Sequence, residues 1–392
     1  MKRPSGVVLL TILAALTVAV APALAAKPGW QVDEVHAAPP RQIELSPLPV
    51  CTMSGWPLIF TDMPEVLQPW MTGEGNTVWI GTWRSITEPA AGPVRFFTYQ
   101  QNHGERDLYY CAAISNTSSQ TAYVYVRRDA WQQLPEASDA GRNLVKAFYQ
   151  CSGLDTFWGT IPAGITKYYA VDYVPKGNTG EKMVDFNVTD SSGYPLEVTY
   201  SGVISDVIPP DNVPNSTVFS YGVLPWVEKY GGDVVGITRG KWNHCNRHSS
   251  FTVDMALGTQ YVRFGNDPRQ TQSPWLEGER EAGWSTVDNK EVDNWGNYGV
   301  DYYLDINFVN IPANKCVDSL YQDKIHWGGA LWWYCHFIGD FSDTGVWADT
   351  VGVHTASEVV VVHKNNTDYN VKTQVCPGSN HPLWLDFYVD AW

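Results

Sequence analysis

Val184-Asp185-Phe186-Asn187-Val188-Thr189 alternates apolar and polar residues at every step. A period of two sends successive side chains to opposite faces of an extended backbone, so the stretch reads as a β-strand with one buried and one wet face. Leu196-Glu197-Val198-Thr199-Tyr200 repeats the pattern, and so does Leu383-Trp384-Leu385-Asp386-Phe387-Tyr388-Val389. In the last of these, Leu383, Leu385, Phe387 and Val389 share one face, while Trp384, Asp386 and Tyr388 share the other. Val359 to Val362 is a short continuous β-branched run, as expected of a strand buried on both faces, and turn residues punctuate the chain at short intervals. A single segment has helical spacing: it runs from Ser138 or Asp139, as cap, through Leu144, Val145 and Phe148, which fall on one helical face. These patterns imply an all-β fold.

The chain is 392 residues long, with room for about two domains. Lys2 and Arg3, the apolar run Val7 to Val20 and the small residues of Ala23-Leu24-Ala25 have the order of a cleaved secretory signal peptide. Residues 1–25 are therefore expected to be removed and the mature protein to be secreted, extracellular or at the cell surface, with the periplasm as an alternative. No cysteine follows the cleavage position closely enough to carry a lipid, and no later apolar stretch is long enough for a membrane span. Residues 26–50 carry Pro28, Pro39, Pro40, Pro47 and Pro49 and read as an extended arm or linker. A second turn-rich stretch, 208–216, divides the remainder into 51–207 and 217–392, which are expected to form two tandem antiparallel β-sandwich domains of immunoglobulin-like or jelly-roll-like type. The halves resemble each other: Asp107-Leu108-Tyr109-Tyr110 leads to Asn116, and Asp301-Tyr302-Tyr303-Leu304 leads to Asn310, at the same offsets. Pro195-Leu196 and Pro382-Leu383 open the last strand of each half, which suggests a duplication.

Composition narrows the partners. A formal charge of -15 and a pI near 4.9 exclude nucleic acid and anionic lipid, both of which require a basic footprint. Seven cysteines, at 51, 111, 151, 245, 316, 335 and 376, contain no C-x-x-C pair, so zinc ribbons and thioredoxin chemistry do not fit. In an exported chain they read as disulfides with one thiol left over; Cys316 with Cys335 and Cys111 with Cys151 are the candidate pairs. Asn116, Asn187, Asn215 and Asn365 head Asn-x-Ser/Thr sequences that matter only in a host that glycosylates them. The C-terminal Trp392 resembles the aromatic end of an outer-membrane strand. Asp386 and Asp390, however, lie in register with it on the side that would face lipid.

No catalytic signature is present: there is no G-x-S-x-G, no H-E-x-x-H, and the glycines of Gly236-Ile237-Thr238-Arg239-Gly240-Lys241-Trp242 are wrongly spaced for a phosphate loop. No motif requires a cofactor. His244 and His248 flank Cys245 and would meet around a metal only on a helical or tightly turned backbone. Asp288, Glu291 and Asp293 supply the hard oxygen ligands that calcium prefers, without an EF-hand pattern. Eighteen tryptophans and 21 tyrosines suit strand cores, but they also stack on sugars and anchor interfaces. In Leu331-Trp332-Trp333-Tyr334-Cys335-His336-Phe337, alternation places Trp332, Tyr334 and His336 opposite the core face; with Trp384 and Tyr388 they form a candidate aromatic platform for a ligand.

Three readings of function follow, the last of them a metal-dependent exported enzyme that uses His244 and His248. The first is a secreted, non-enzymatic β-sandwich protein with a structural, assembly or adhesive role, self-associating or binding another extracellular protein, the arm adding a strand to a neighbour's sheet edge. The alternative is a carbohydrate-binding or carbohydrate-acting protein that uses the outer aromatic face for polysaccharide.

Overall fold

The structure, a computed structural model, describes residues 30–33, 43–45, 51–67, 81–224, 238–265, 279–294, 296–313, 315–323, 360–363, 368–375, 377 and 383–391. It is mostly β, arranged in several sheets. Among the described residues no helix is long and apolar enough to cross a membrane.

The arm contributes β1 (Trp30–Asp33) and β2 (Ile43–Glu44), followed by β3 (Thr52–Ser54), β4 (Leu58–Thr61) and β5 (Val66–Leu67). Next come β6 (Thr82–Asn102), β7 (Leu108–Ser115) and β8 (Ala122–Leu134), the helix α1 (Ala137–Gln150), then β9 (Thr156–Ile161), β10 (Ile165–Val174), β11 (Thr179–Thr189) and β12 (Glu197–Ser205). The middle of the chain holds β13 (Val213–Pro214), the short helix α2 (Asn215–Ser220), β14 (Gly222–Val223), β15 (Arg239–Trp242), β16 (Asn246–Asp254) and β17 (Gln260–Phe264). The remainder supplies β18 (Ala282–Ser285), β19 (Lys290–Asp293), β20 (Asp301–Val309), β21 (Lys315–Asp323), β22 (Val360–His363), β23 (Asp368–Gln374) and β24 (Leu383–Ala391).

β6 is the hinge of the first layer. Its first half pairs with β12 up to Ala91, and its second half pairs with β11 from Gly92 onward. Gly92 has φ +67, a left-handed conformation that a side chain resists, and a Cβ there would sit 3.1 Å from Pro195 Cβ. One strand can thus serve two sheets. On one side run β10, β7, β12 and early β6; on the other run β9, β8, β11, late β6, β4, β15, β18 and β19. Ile86, Val94, Phe96, Ile114, Val124, Phe186, Val198 and Tyr200 fill the space between them. Each such side chain stabilises the fold by about 1.5–3 kcal/mol on burial.

A second core lies on the opposite face of β4, β6 and β11. There Leu58, Phe60 and Phe97 meet Leu144, Val145 and Phe148 of α1, and the same cluster continues to Phe251, Val253, Leu304, Ile306, Phe308, Leu385 and Phe387. Those later residues come from two further sheets, β23-β20-β16-β3 and β1-β22-β21-β24-β17-β2, whose rings interlock at Phe308 and Phe387, 5.5 Å between centroids.

Several expectations change here. The alternation of 184–189 is real, but its polar face is not wet: Asp185 is buried because α1 and the second core cover that side of β11. The helix is present, yet its N-cap is Glu136 with no side-chain cap, and Asp139 lies in the first turn. Strand pairing also crosses the 208–216 stretch. β4 pairs with β15, β3 with β16 and β14 with β6, while Val213-Pro214 itself pairs with β10. The matched offsets of the two halves do not place their strands alike: β7 lies beside β12, whereas β20 lies between β16 and β23, away from β24. The arm is strand-forming at two points, and both pair within the chain, β1 with β22 and β2 with β17.

Candidate functional site

Three irregular strand positions converge on one cleft. The β8–β11 ladder skips Arg127 between Val126 and Arg128; the β8–β9 ladder skips Trp158 between Phe157 and Gly159; the β10–β7 ladder skips Ala170 between Tyr169 and Val171. Each is a β-bulge, a device that re-aims neighbouring side chains. Ala170 has φ +47, a strained conformation of the kind that collects at functional sites. The cleft between them measures about 390 Å³, and Arg128, Asp129, Ser152, Phe157, Trp158 and Tyr169 line it.

Its polar groups are held in place from beneath. The Tyr169 hydroxyl donates to Asp129 Oδ2 at 2.6 Å, and Lys182 Nζ lies 3.4 Å from Asp129 Oδ1 and 2.9 Å from Asp172 Oδ2. Lys182 is 3% exposed, with its ammonium 5.5 Å from the Tyr169 ring centroid. Burial pushes the Asp172 carboxyl up against the opposing pull of Lys182, and it pushes the Tyr169 hydroxyl well up too. Arg127 is committed to Asp155 through bonds of 2.8 and 3.3 Å, and these hydrogen bonds hold the Asp155 carboxyl below its usual range. Trp158 packs edge-on against Tyr169 at 5.3 Å, while Phe157 is 53% exposed. The exposed Phe157 ring packs on Tyr125, on one face of the sheet, whereas the pinned Asp129 carboxylate lies with Val184 and Tyr169 on the other.

Behind the cleft lies a buried ionic hub. Arg95 Nε and Nη2 bond Asp185 at 2.8 and 3.3 Å, Nη2 reaches Asp301 Oδ2 at 3.2 Å, and Nη1 donates to Gly299 O at 2.9 Å. Asp301 also accepts from Tyr149 and Gln374, both at 2.7 Å, and pairs with Lys372 at 3.2 Å. Burial alone would raise the Asp301 carboxyl; Arg95, Lys372, Arg128 and the Tyr149 hydrogen bond together hold it well below the carboxylate range. Arg128, at 3.9 Å from Asp301, links this hub to the cleft.

The residues singled out from sequence are scattered over the molecule. His244 Nδ1 lies 3.0 Å from Glu281 Oε1, whereas the His248 ring stacks on Tyr303 at 4.5 Å. They do not converge, because β16 begins at Asn246 and carries His248 off along an extended strand. Asp288 is held by the Nε/Nη2 edge of Arg239 and by Ser285, while Glu291 and Asp293 face Arg280. The carboxylates considered for calcium are thus paired with arginines, and among the described residues no group of three or more His, Cys, Asp or Glu is arranged around a metal position. Cys111 and Cys151 are not joined. Cys111 packs with Val203 and Val213, whereas the Cys151 thiol, just past α1, has Asp129 O and Ala147 O as alternative acceptors at 3.3 and 3.4 Å. Cys51 and Cys245 are also free thiols; Cys335 and the Cys316 side chain lie outside the described residues.

Tyr388 is 4% exposed and offers no open ring, so this position of the proposed platform is covered. Trp332, Tyr334 and His336 lie outside the described residues, as does the Trp384 side chain, although the Trp384 backbone pairs with Arg263 and Gln322. Of the glycosylation sequences, Asn116 is fully buried, its amide bonded to Gln120 O and Ile161 O, while Asn187 and Asn215 bond Asp155 and Asn116 O. Asn365 is outside the described residues.

Sequence reading missed the Phe157 cleft because bulges leave no periodic signature. The available signal was the pair Phe157-Trp158 one residue after the turn-rich Cys151-Ser152-Gly153-Leu154-Asp155. Compared with known proteins, the chain matches no family model and no curated sequence is similar to it.

Proposed function

We propose that this is a secreted, non-enzymatic protein with a structural, assembly or adhesive role at the cell exterior, built from packed β-sheets whose ladders are mostly antiparallel but parallel at β16–β20 and β4–β6. The observation that carries the reading is the position of the arm. β1 and β2 are the two opposite edge strands of the sheet β1-β22-β21-β24-β17-β2. β1 is held by four residue pairs and β2 by two, against nine between β21 and β24. Edge strands held this weakly exchange readily for the same strand of a neighbour, which fills the vacated edge with equivalent backbone hydrogen bonds. Self-association follows from that exchange, and another extracellular protein with a strand to donate would engage the same edges.

The test is the mass of the mature protein by light scattering after gel filtration without reductant. Concentration-dependent oligomers are expected from the full mature chain, and both deletion of residues 27–50 and Val32→Pro, which places a proline in β1, should remove them. Oligomers that persist unchanged in both variants overturn the reading. A second reading, carbohydrate recognition, is favoured by the exposed ring of Phe157, which packs on Tyr125.

A further inference from the structure

The structure assigns Lys182 and Asp172 as the partners of an intramolecular isopeptide bond, formed between the lysine amine and the aspartate carboxyl with Asp129 as the proton carrier. The three side chains come from β11, β10 and β8, and two bulges turn the carboxylates toward the lysine. Tyr169 and Asp172 are three residues apart, which on a regular strand would put them on opposite faces. Because the ladder skips Ala170, they pair with Ala112 and Tyr110 and so share one face. The skip at Arg127 does the same for Asp129, which pairs with Val184 while Val126 pairs with Phe186, on the face that carries Lys182. The Lys182 side chain is 3% exposed, and its Nζ lies 2.9 Å from Asp172 Oδ2 and 3.4 Å from Asp129 Oδ1. The Trp131 and Tyr169 rings stand 5.7 and 5.5 Å from the same nitrogen.

The reaction is a condensation. Asp129, which accepts from the Tyr169 hydroxyl at 2.6 Å, takes a proton from the ammonium and passes it to the Asp172 carboxyl. The lone pair of the freed amine then forms the Nζ–Cγ bond, one Cγ–O bond breaks, and that oxygen leaves as water with a second proton from Nζ. Ammonium and carboxylate thus become amide and water without an oxidant or co-reactant, and Asp129 ends as it began. Asp172 rather than Asp129 is the carboxyl attacked, because it is nearer and less exposed, 15% against 37%. Its Oδ2 is buried and, although close to the ammonium, makes no hydrogen bond of good geometry. Burial also pushes the Asp172 carboxyl up, which favours the neutral acid whose hydroxyl can depart. Two charges in an aromatic interior carry a desolvation cost that a neutral amide does not. β10 and β11 lie in different sheets of the first layer, so the bond ties the two sheets across their core.

The experiment is the intact mass of the full mature chain, reduced and denatured, set against the mass calculated from its sequenced N-terminus. A deficit of one water is expected. It should vanish in Asp172→Ala and in Lys182→Met, which keeps an unbranched apolar stem in the same space. Asp129→Ala should leave most of the chain at full mass, since the proton carrier is gone. Trypsin does not cleave after an acylated lysine but does cleave at Lys176, between the two partners, so the wild-type digest should contain a branched peptide that joins residues 168–176 to a peptide uncleaved at Lys182. Wild-type mass and digest decide the question even where a variant fails to fold. A wild-type chain at its full sequence mass overturns the proposal, and so does a deficit that persists in Lys182→Met, because the water was then lost elsewhere. A deficit that persists in Asp129→Ala overturns the role given to Asp129.

Discussion

Neutralising Asp301 tests the ionic hub most directly. Asp301 is 1% exposed and receives Arg95, Lys372, Tyr149 and Gln374 at 2.7 to 3.2 Å. In Asp301→Asn the volume is kept, and Oδ1 still accepts from Tyr149 and Gln374. The new amide, however, points hydrogens at the Arg95 guanidinium and the Lys372 ammonium, and Asp185 alone then opposes three cations. Removing one member of a buried pair typically costs about 3–5 kcal/mol. Against a total stability of roughly 5–15 kcal/mol this is a large fraction. The loss is read at pH 7 from urea unfolding followed by tryptophan fluorescence. The pH dependence has a definite sign as well. The folded carboxyl is held below its unfolded value, so its contribution is present above the unfolded value, near 3.8, and fades as pH falls below it. The variant should therefore show a flatter acid limb. A loss under about 1 kcal/mol, the size of a solvent-exposed pair, would refute the reasoning, because it would mean that water screens the hub.

Three further outcomes are expected. Burial pushes Glu279 up to about 7, against hydrogen bonds from Tyr302 and Gly265, the charge of Arg247 and a bond from Asn297, so folding favours its protonated form. Its contribution is full below about 4.5 and is lost as pH rises through 7; Glu279→Gln should remove that slope from a stability profile, and an unchanged slope would contradict the assignment. Gly92→Val should destabilise by about 1–3 kcal/mol in the same unfolding assay, because it forces a branched side chain into a left-handed backbone against Pro195; a neutral result would remove the bend from β6. Peptide mapping without reductant should find no Cys111–Cys151 link, and thiol titration should find Cys111 and Cys245 protected until unfolding, since they are 4% and 0% exposed.

The sequence by itself determined the strand class, the helix and the side-chain parity of the strands. Period-two alternation and the i, i+3, i+4 spacing act through local backbone geometry alone, so Leu385 and Phe387 face inward as their positions imply, and Leu144, Val145 and Phe148 are fully buried on one helical face. What covers each face is a long-range matter that parity does not encode. Asp185 therefore looked solvent-facing yet lies under α1 beside Arg95, and Tyr388 looked like an open ring yet is buried. Strand partners were equally hidden, because any strand of suitable pattern can pair with any other; only the assembled sheets bring β4 to β15 and place β1 and β2 at opposite edges of one sheet. The cleft belongs to the tertiary structure as well. Asp129, Phe157 and Tyr169 sit on three different strands, and only the register of those strands, with single-residue slips at Arg127, Trp158 and Ala170, makes them neighbours in the wall of one cleft.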